Sequence, residues 1–390
     1  MGYVSHLQGI SSGARYDFGT VMNLCPVDRR PVEIVLDLDR LAAENGQVGW
    51  YDPARQDMWR FGGLLALDVN QSDDRRCIVS LGEGATPLIR LADDPLAARV
   101  GFDLSIKLEG RAIPGYGANP TGSFKDRGMS MAVSMALRHG LTRLAVPTQG
   151  NAGDSLAEYA LSAGLRAVIV MPDDTPAPIV DRVRSLARES DLITLELVTG
   201  TIREAGERIR EHWLSRDYFS VATFQEPGWR IEGKKTLGLE IAEPRSSGDP
   251  WRLPDVVVYP TGGGTGVLGM WKAFAELEYL GLVGPERPRM VCVQSEATRP
   301  LVTAFENDWP DTRAVDAGTT RAVGLNVPGG VGHFRVLEII RASGGAAVAI
   351  AEEEIVNCMT RSFDTCGGTL SPEGAAAMAA LPRLVETDLV

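Results

Sequence analysis

Histidine is scarce in this chain. The four in 390 residues, His6, His139, His212 and His333, do not fall at metal or triad spacing with cysteine or carboxylate. His139 and His212 read as helix-surface residues, and none of the four is given a catalytic role. Cysteine is scarce too: Cys25, Cys77, Cys292, Cys358 and Cys366 are an odd number at wide spacings, which describes no disulfide framework and fits reduced thiols in a cytosolic compartment. No run reaches the ~18 apolar residues of a membrane span, and the amino terminus lacks a basic region followed by an apolar stretch. The reading is therefore cytoplasmic, with no membrane partner. An excess of positive charge is also missing. A net charge of −12 and a pI near 5.0 oppose the basic surface that phosphate backbones require, which excludes nucleic acid as a partner. Arg182, Arg184 and Arg188 are read as the solvated face of a helix.

What is present is a large apolar fraction, 44%, in a chain long enough for two domains, or for one core of two subdomains plus an extension. Residues 1–80 read as that extension, with a strand-like run Val32 to Leu36 and a helix-like Met58 to Leu67. Beyond it, short apolar runs (Leu144 to Val146, Ala167 to Met171, Leu192 to Val198, Val256 to Tyr259, Met290 to Val293) alternate with helical patterns. Such alternation predicts an α/β fold with parallel sheets covered by helices on both faces.

The most informative stretch is Asn119-Pro120-Thr121-Gly122-Ser123-Phe124-Lys125-Asp126-Arg127-Gly128. Pro120, Gly122 and Ser123 read as a turn, with Ser123 as the candidate N-cap, and Met129 to His139 as a helix. A lysine at the mouth of that helix sits by the positive end of the macrodipole, which disfavours the ammonium and favours an amine able to attack a carbonyl. A second stretch, Pro260-Thr261-Gly262-Gly263-Gly264-Thr265-Gly266, follows a strand and precedes a helix-like Val267 to Glu278. Its glycines let backbone approach a phosphate, and the helix start supplies N–H groups. The dinucleotide fingerprint is not matched. A third, Pro147-Thr148-Gln149-Gly150-Asn151-Ala152-Gly153, also joins a strand to a helix, Ser155 to Leu161.

The lysine stretch resembles, nearly residue for residue, the signature of the threonine synthase branch of fold-type-II pyridoxal-phosphate enzymes, within the tryptophan synthase beta superfamily. Leu81 to Leu88 resembles the family's entry into its catalytic core, and the likeness continues to about Ala380. It implies a core at 81–390 of two subdomains, each with a mostly parallel sheet covered by helices. The smaller, roughly 121–222, is inserted in the larger, and the cofactor, pyridoxal 5'-phosphate, lies between them. Lys125 is then the Schiff-base lysine and general base, beside Ser123 and Phe124. The turn of Gly262, Gly263, Gly264, Thr265 and Gly266 is the phosphate cradle. Thr148, Gln149 and Gly150 grip the substrate carboxylate, and Asn151 meets the ring oxygen.

Gln225 to Thr236 resembles a family segment whose arginine holds a substrate phosphate, and Arg230 is the matching residue. Gly228-Trp229 replaces a single tyrosine there, and Phe224 and Gly266 stand where polar phosphate partners are expected. Cys25-Pro26-Val27-Asp28 resembles a zinc element with its second cysteine missing, so no metal is expected. Thr369 to Ala377 resembles the family's late Pro-Glu-Gly-Ala-Ala helix start. Family members continue into a strand whose hydroxyl meets the pyridine nitrogen, whereas this chain stops at Val390. Ser371, Cys366 or water is expected in that role, unless the protein is longer, and Glu373 is expected to cap the helix that follows it. The implied reaction is phosphate elimination from O-phosphohomoserine with replacement by water, with a homodimer expected. The alternative is beta-elimination or beta-replacement on a serine- or threonine-type amino acid.

Overall fold

The computed structural model describes residues 2–110, 112–366 and 368–390, without the side chains of 363–366. The chain divides into two compact units, one of Met1–Thr86, Glu109–Leu237 and Tyr279–Gly281, the other of Pro87–Leu108, Gly238–Glu278 and Leu282–Val390.

In the first unit the strands Ile193–Val198, Arg166–Pro172, Arg143–Pro147 and Phe219–Ser220 lie side by side in that order, all parallel. Ala145 stands opposite Val168, and both pack with Val170, Ala205 and Ile209 in a buried cluster. Continuous apolar runs form these strands because a parallel sheet is covered on both faces. A separate antiparallel sheet joins Val4–Gly9 to Arg15–Tyr16 and Val32–Leu36. Val32, Ile34 and Leu36 alternate inward along the last of these strands, as a half-covered sheet requires.

The amino-terminal 86 residues group with 109–237 and form no compact unit of their own. Buried hydrogen bonds account for this. The Glu83 carboxylate, fully buried, accepts from Trp59 Nε1 at 3.0 Å, Tyr159 OH at 2.7 Å and the Leu81 N–H at 2.9 Å. Burial pushes its pKa up against those donors. Asn23 Nδ2 donates to the carbonyls of Ser220 and Gln225. Cys25 is buried with its sulfur 3.3 Å from Ser12 Oγ and 3.2 Å from Tyr16 OH. Among the described residues, no three His, Cys, Asp or Glu groups are placed to hold a metal ion, and no helix is long and apolar enough to cross a membrane.

The second unit holds a parallel sheet in the order Val256–Pro260, Arg289–Ser295, Ala346–Ile350 and an antiparallel pair, Leu88–Arg90 with Ser105–Lys107. Val291, Val293 and Ile350 pack against Ala375, Ala376, Ala380, Leu381 and Leu384 of the helix Pro372–Glu386. The alanines let that helix lie close to the sheet.

The helix Trp229–Ala242 is buried along nearly its whole length, although it carries Arg230, Glu232, Lys234, Lys235 and Glu240. Lys235 Nζ meets Glu232 at 2.9 Å with both side chains fully buried. The helix Lys125–Arg138 crosses it at Gly233, where an added Cβ would sit 2.0 Å from the Arg127 carbonyl oxygen. Alanine is the better helix former by about 1 kcal/mol, but here its methyl meets backbone that no rotamer can move aside. Gly233→Ala is expected to destabilise the protein by about 2 kcal/mol net, read as a lower urea midpoint at unchanged slope. A midpoint equal to or above wild type would show that the two helices are free to part.

Candidate active site

Lys125 is the first residue of the helix Lys125–Arg138, so the helix begins four residues before the expected Met129. Ser123 does not cap it in the expected way: its Oγ accepts from the Lys125 N–H at 3.3 Å, and the N-cap position is Phe124, with no side-chain cap bond. The turn is closed by Asp126 instead, whose carboxylate accepts from the Thr121 N–H at 2.8 Å and Thr121 Oγ1 at 2.7 Å. A carboxylate in the first helical turn is favoured by the dipole, yet burial dominates and raises its pKa. Gly122 takes a φ of 73° within the turn. The shelf behind it is an ion pair: the buried Arg127 donates through Nε and Nη2 to Glu109 at 2.7 and 2.9 Å, and to Thr236 and Thr86 hydroxyls at 2.9 and 3.0 Å. A forked guanidinium on a carboxylate fixes both position and angle.

Lys125 Nζ lies 4.3 Å from the centre of the Phe124 ring, and Lys234 Nζ lies 4.6 Å from the same centre. Lys234 was not singled out from the sequence. A signal was available: the chain has five lysines, Lys107, Lys125, Lys234, Lys235 and Lys272, and none is exposed. Arg230, one turn before Lys234, is 1% exposed. Its Nη1 donates to the Val221 carbonyl at 2.9 Å and its N–H to Glu226 Oε2 at 3.1 Å. Among the described residues its Nε and Glu226 Oε1 have no hydrogen-bond partner. Burial lifts the Glu226 carboxyl to about 7, with Arg230 opposing. Gly228 takes a φ of 75°, and an added Cβ there would lie 2.9 Å from Glu33 Cα. Phe224, buried, holds a φ of 64°, a backbone region costly for a bulky side chain.

In the same unit, Thr148 Oγ1 accepts from the Gly150 N–H at 3.1 Å and donates to its carbonyl at 3.0 Å. This bond pins the turn before the helix Asn151–Ser162. Asn151, the first helical residue, is exposed, and Gln149 and Gly150 are half-buried. Arg182 does not simply face solvent: it pairs with Asp154 at 2.9 Å and donates to the Thr121 carbonyl at 3.0 Å. Burial still raises the Asp154 carboxyl to about 6. His139 also departs from the helix-surface reading, because it is half-buried and stacks on Trp229 with ring centres 5.6 Å apart.

In the second unit the helix Thr265–Tyr279 begins inside the glycine turn, and its first N–H groups have no intrahelical acceptor. Gly264 takes a φ of 93°. A Cβ at Gly262 would meet the Gly324 oxygen at 2.3 Å, and one at Gly266 would meet Tyr259 OH at 2.1 Å. His333, fully buried, anchors this turn. Its Nδ1 accepts from the Gly330 N–H at 3.1 Å, which leaves Nε2 to donate to the Gly262 carbonyl at 3.0 Å. Burial keeps the ring neutral by lowering its pKa. The glycine-rich approach Gly329-Gly330-Val331-Gly332 was the unused sequence signal for His333. Ser371, exposed, is the N-cap of the helix Pro372–Glu386, its Oγ accepting from the Gly374 N–H at 3.2 Å. Glu373, expected as the cap, instead accepts from the Gly324 N–H at 2.9 Å. The Cys366 side chain lies outside the described residues.

In one unit a lysine opening a buried helix beside a carboxylate-closed turn, and in the other a glycine turn at a helix start, are each of the kind that pyridoxal phosphate requires. The turn is the structural test: Gly262 and Gly266 have no room for a side chain, since a Cβ would meet the Gly324 oxygen or Tyr259 OH, so backbone alone is presented there. The chain belongs to the pyridoxal-phosphate-dependent enzyme family, whose model matches residues 79–390, and it has the fold-type-II architecture. It is 28% identical over 386 residues to the threonine synthase of Methanosarcina acetivorans, covering 99% of this chain and 88% of that one. It is 30% identical over 308 residues to the threonine synthase of Mycobacterium tuberculosis, covering 79% and 78%. Among solved structures, threonine deaminase isoform 2 from Solanum lycopersicum superposes with a TM-score of 0.62 at 23% identity, covering 82% of this chain and 84% of that one. An L-serine ammonia-lyase from Rhizomucor miehei gives 0.62 at 17%, covering 79% and 89%. At those identities the likeness is one of fold.

Gly262→Ala, whose methyl would press on the Gly324 carbonyl and displace the turn, is expected to weaken pyridoxal-phosphate binding at least ~10-fold, about 1.4 kcal/mol. Equilibrium dialysis measures it, and unaltered affinity would remove this turn from the cofactor site.

Proposed function

We propose that this chain acts on O-phosphohomoserine, releasing phosphate and adding water to give threonine. The single observation behind this reading is the similarity to the Methanosarcina threonine synthase along 99% of the chain. Bound pyridoxal phosphate supplies a carbonyl for the substrate amine and a sink for the electrons of the Cα–H bond. In this reading Lys125 Nζ holds the cofactor and then moves the proton at the substrate Cα. The N–H groups at the Gly262–Gly266 turn bind the cofactor phosphate. Thr148, Gln149 and Gly150 hold the substrate carboxylate, Asn151 meets the ring oxygen, and Arg230 binds the substrate phosphate through the Nε that has no partner now. Ser371 takes the place at the ring nitrogen. We further read the chain as a cytoplasmic homodimer with 121–222 as its smaller, inserted subdomain.

A second reading, elimination or replacement at the beta carbon of a serine- or threonine-type amino acid, is favoured by one feature. The Arg230 guanidinium is buried and donates to the Val221 carbonyl, and Phe224 and Gly266 offer no polar side chain to a second phosphate.

The purified protein is expected to be yellow, and Lys125→Ala to lose both the colour and at least ~100-fold of kcat/KM. A variant that kept a borohydride-reducible absorption band and normal turnover would refute the assignment of Lys125. Incubation with O-phosphohomoserine is expected to release one phosphate per threonine and no ammonia. Ammonia and a 2-oxo acid from serine or threonine, without phosphate release from O-phosphohomoserine, would establish the second reading instead. Arg230→Ala is expected to cost ~2–4 kcal/mol of transition-state binding, about 30- to 1000-fold in kcat/KM, on the phosphorylated substrate alone. An equal loss on a substrate without phosphate would mean that Arg230 only supports the fold.

A further inference from the structure

We propose that His333 is a positioning residue for the cofactor phosphate: its ring holds the Gly262 carbonyl and so presets the Gly263 N–H as a phosphate donor. The proposal rests on the reading of the Gly262–Gly266 turn as the phosphate cradle. His333 touches no phosphate itself and acts through backbone.

Its hydrogen bonds alone fix which nitrogen carries the proton. A carbonyl can only accept, so Nε2, 3.0 Å from the Gly262 oxygen, is protonated. A backbone N–H can only donate, so Nδ1, 3.1 Å from the Gly330 nitrogen, is not. Thr312 Oγ1, 3.1 Å from the same Nδ1, then donates to it as well. His333 is 0% exposed, so water does not replace a lost partner, and leaving one of these buried groups unpaired is costly. The ring is also fixed in space. An added Cβ at Gly330 would lie 2.8 Å from His333 Cε1, so the Gly330 backbone lies flat against the imidazole. Val336, a turn further along the helix His333–Ala342, fills the space beside Gly264, where an added Cβ would meet its Cγ2. One helix thus supports the glycine turn through both side chains.

What the ring sets is the orientation of a single peptide unit. No cis peptide bond occurs among the described residues, and in a planar trans unit the N–H points opposite the carbonyl. With the Gly262 carbonyl on His333, the Gly263 N–H points away from that side chain. Among the described residues it has no hydrogen-bond acceptor, and Gly263 is only half-buried. Glycine peptides left untethered sample many orientations, and ordering them on binding would weaken affinity. His333 does that ordering in the folded protein, before any phosphate is bound.

Proton position and affinity are tested separately. In full-length protein carrying 15N only in its four histidines, the signals of His6, His139 and His212 are assigned by substitution to Gln, which leaves His333 unaltered. At neutral pH a protonated Nε2 and an unprotonated Nδ1 are expected for His333. A proton on Nδ1 overturns the proposal. By equilibrium dialysis, His333→Phe, which keeps a ring and loses its hydrogen bonds, is expected to weaken pyridoxal phosphate at least ~10-fold. Pyridoxal, which lacks the phosphate, is expected to change by less than ~2-fold. His333→Gln, whose amide nitrogen can donate to Gly262 as Nε2 does, is expected to bind pyridoxal phosphate at least ~3-fold more tightly than His333→Phe. His333→Leu stands in if His333→Phe does not fold. Wild-type affinity in the apolar variant, an equal loss for both ligands, or no recovery in His333→Gln would each overturn the proposal. Unaltered affinity in Gly262→Ala condemns the turn as the cradle. Weaker binding in Gly262→Ala but not in His333→Phe condemns the role of His333 alone.

Discussion

Two helices touch backbone to backbone where Gly233 meets the Arg127 carbonyl and Gly128 lies under the Lys234 stem, and the candidate site depends on that contact. Without a Cβ at either position the helices approach more closely than side chains allow. The consequence is chemical. Lys125 and Lys234 come to the same Phe124 ring, and Arg127 reaches Glu109, Thr86 and Thr236 together. A wider crossing would open a path for water to Lys234 and weaken every charge interaction around it.

The price of so tight a core is that charges are buried, and the protein answers each with a partner or a changed protonation state. Arg127 and Lys235 are paired with carboxylates. Asp154 and Glu226 are lifted to about 6 and about 7, and Glu83 is raised although Trp59, Tyr159, Ser80 and the Leu81 N–H donate to it. Of these, Glu226 feels the charges of Arg230 and Lys234, which oppose its rise. His333 contributes in the other unit by staying neutral, since a single tautomer both accepts from Gly330 and donates to Gly262.

Much of this was legible in the residues themselves. The parallel strands were visible because a sheet covered on both faces needs unbroken apolar runs, and Val256–Pro260 and Arg166–Pro172 supply them. The lysine turn and the glycine turn were visible because a turn before a helix needs particular residue types at fixed spacing, set by local backbone. Short elements were missed: Leu88–Arg90 and Ser105–Lys107 are three residues each, too short to show a period, and Ala346–Ile350 hides in a run of small residues.

Sequence by itself therefore determined the α/β class, because that follows from periodicity, and the cofactor, through the likeness of its motifs to the family. Tertiary structure alone decided the rest. Arg230 is a free cation in sequence, and only folding sets it against Glu226 and the Val221 carbonyl. Lys234 stands 109 residues from Lys125 in the chain, and His333 is 71 residues from Gly262. Their roles come from burial and from neighbours distant in sequence, and the electrostatics of a group are fixed by what surrounds it in space.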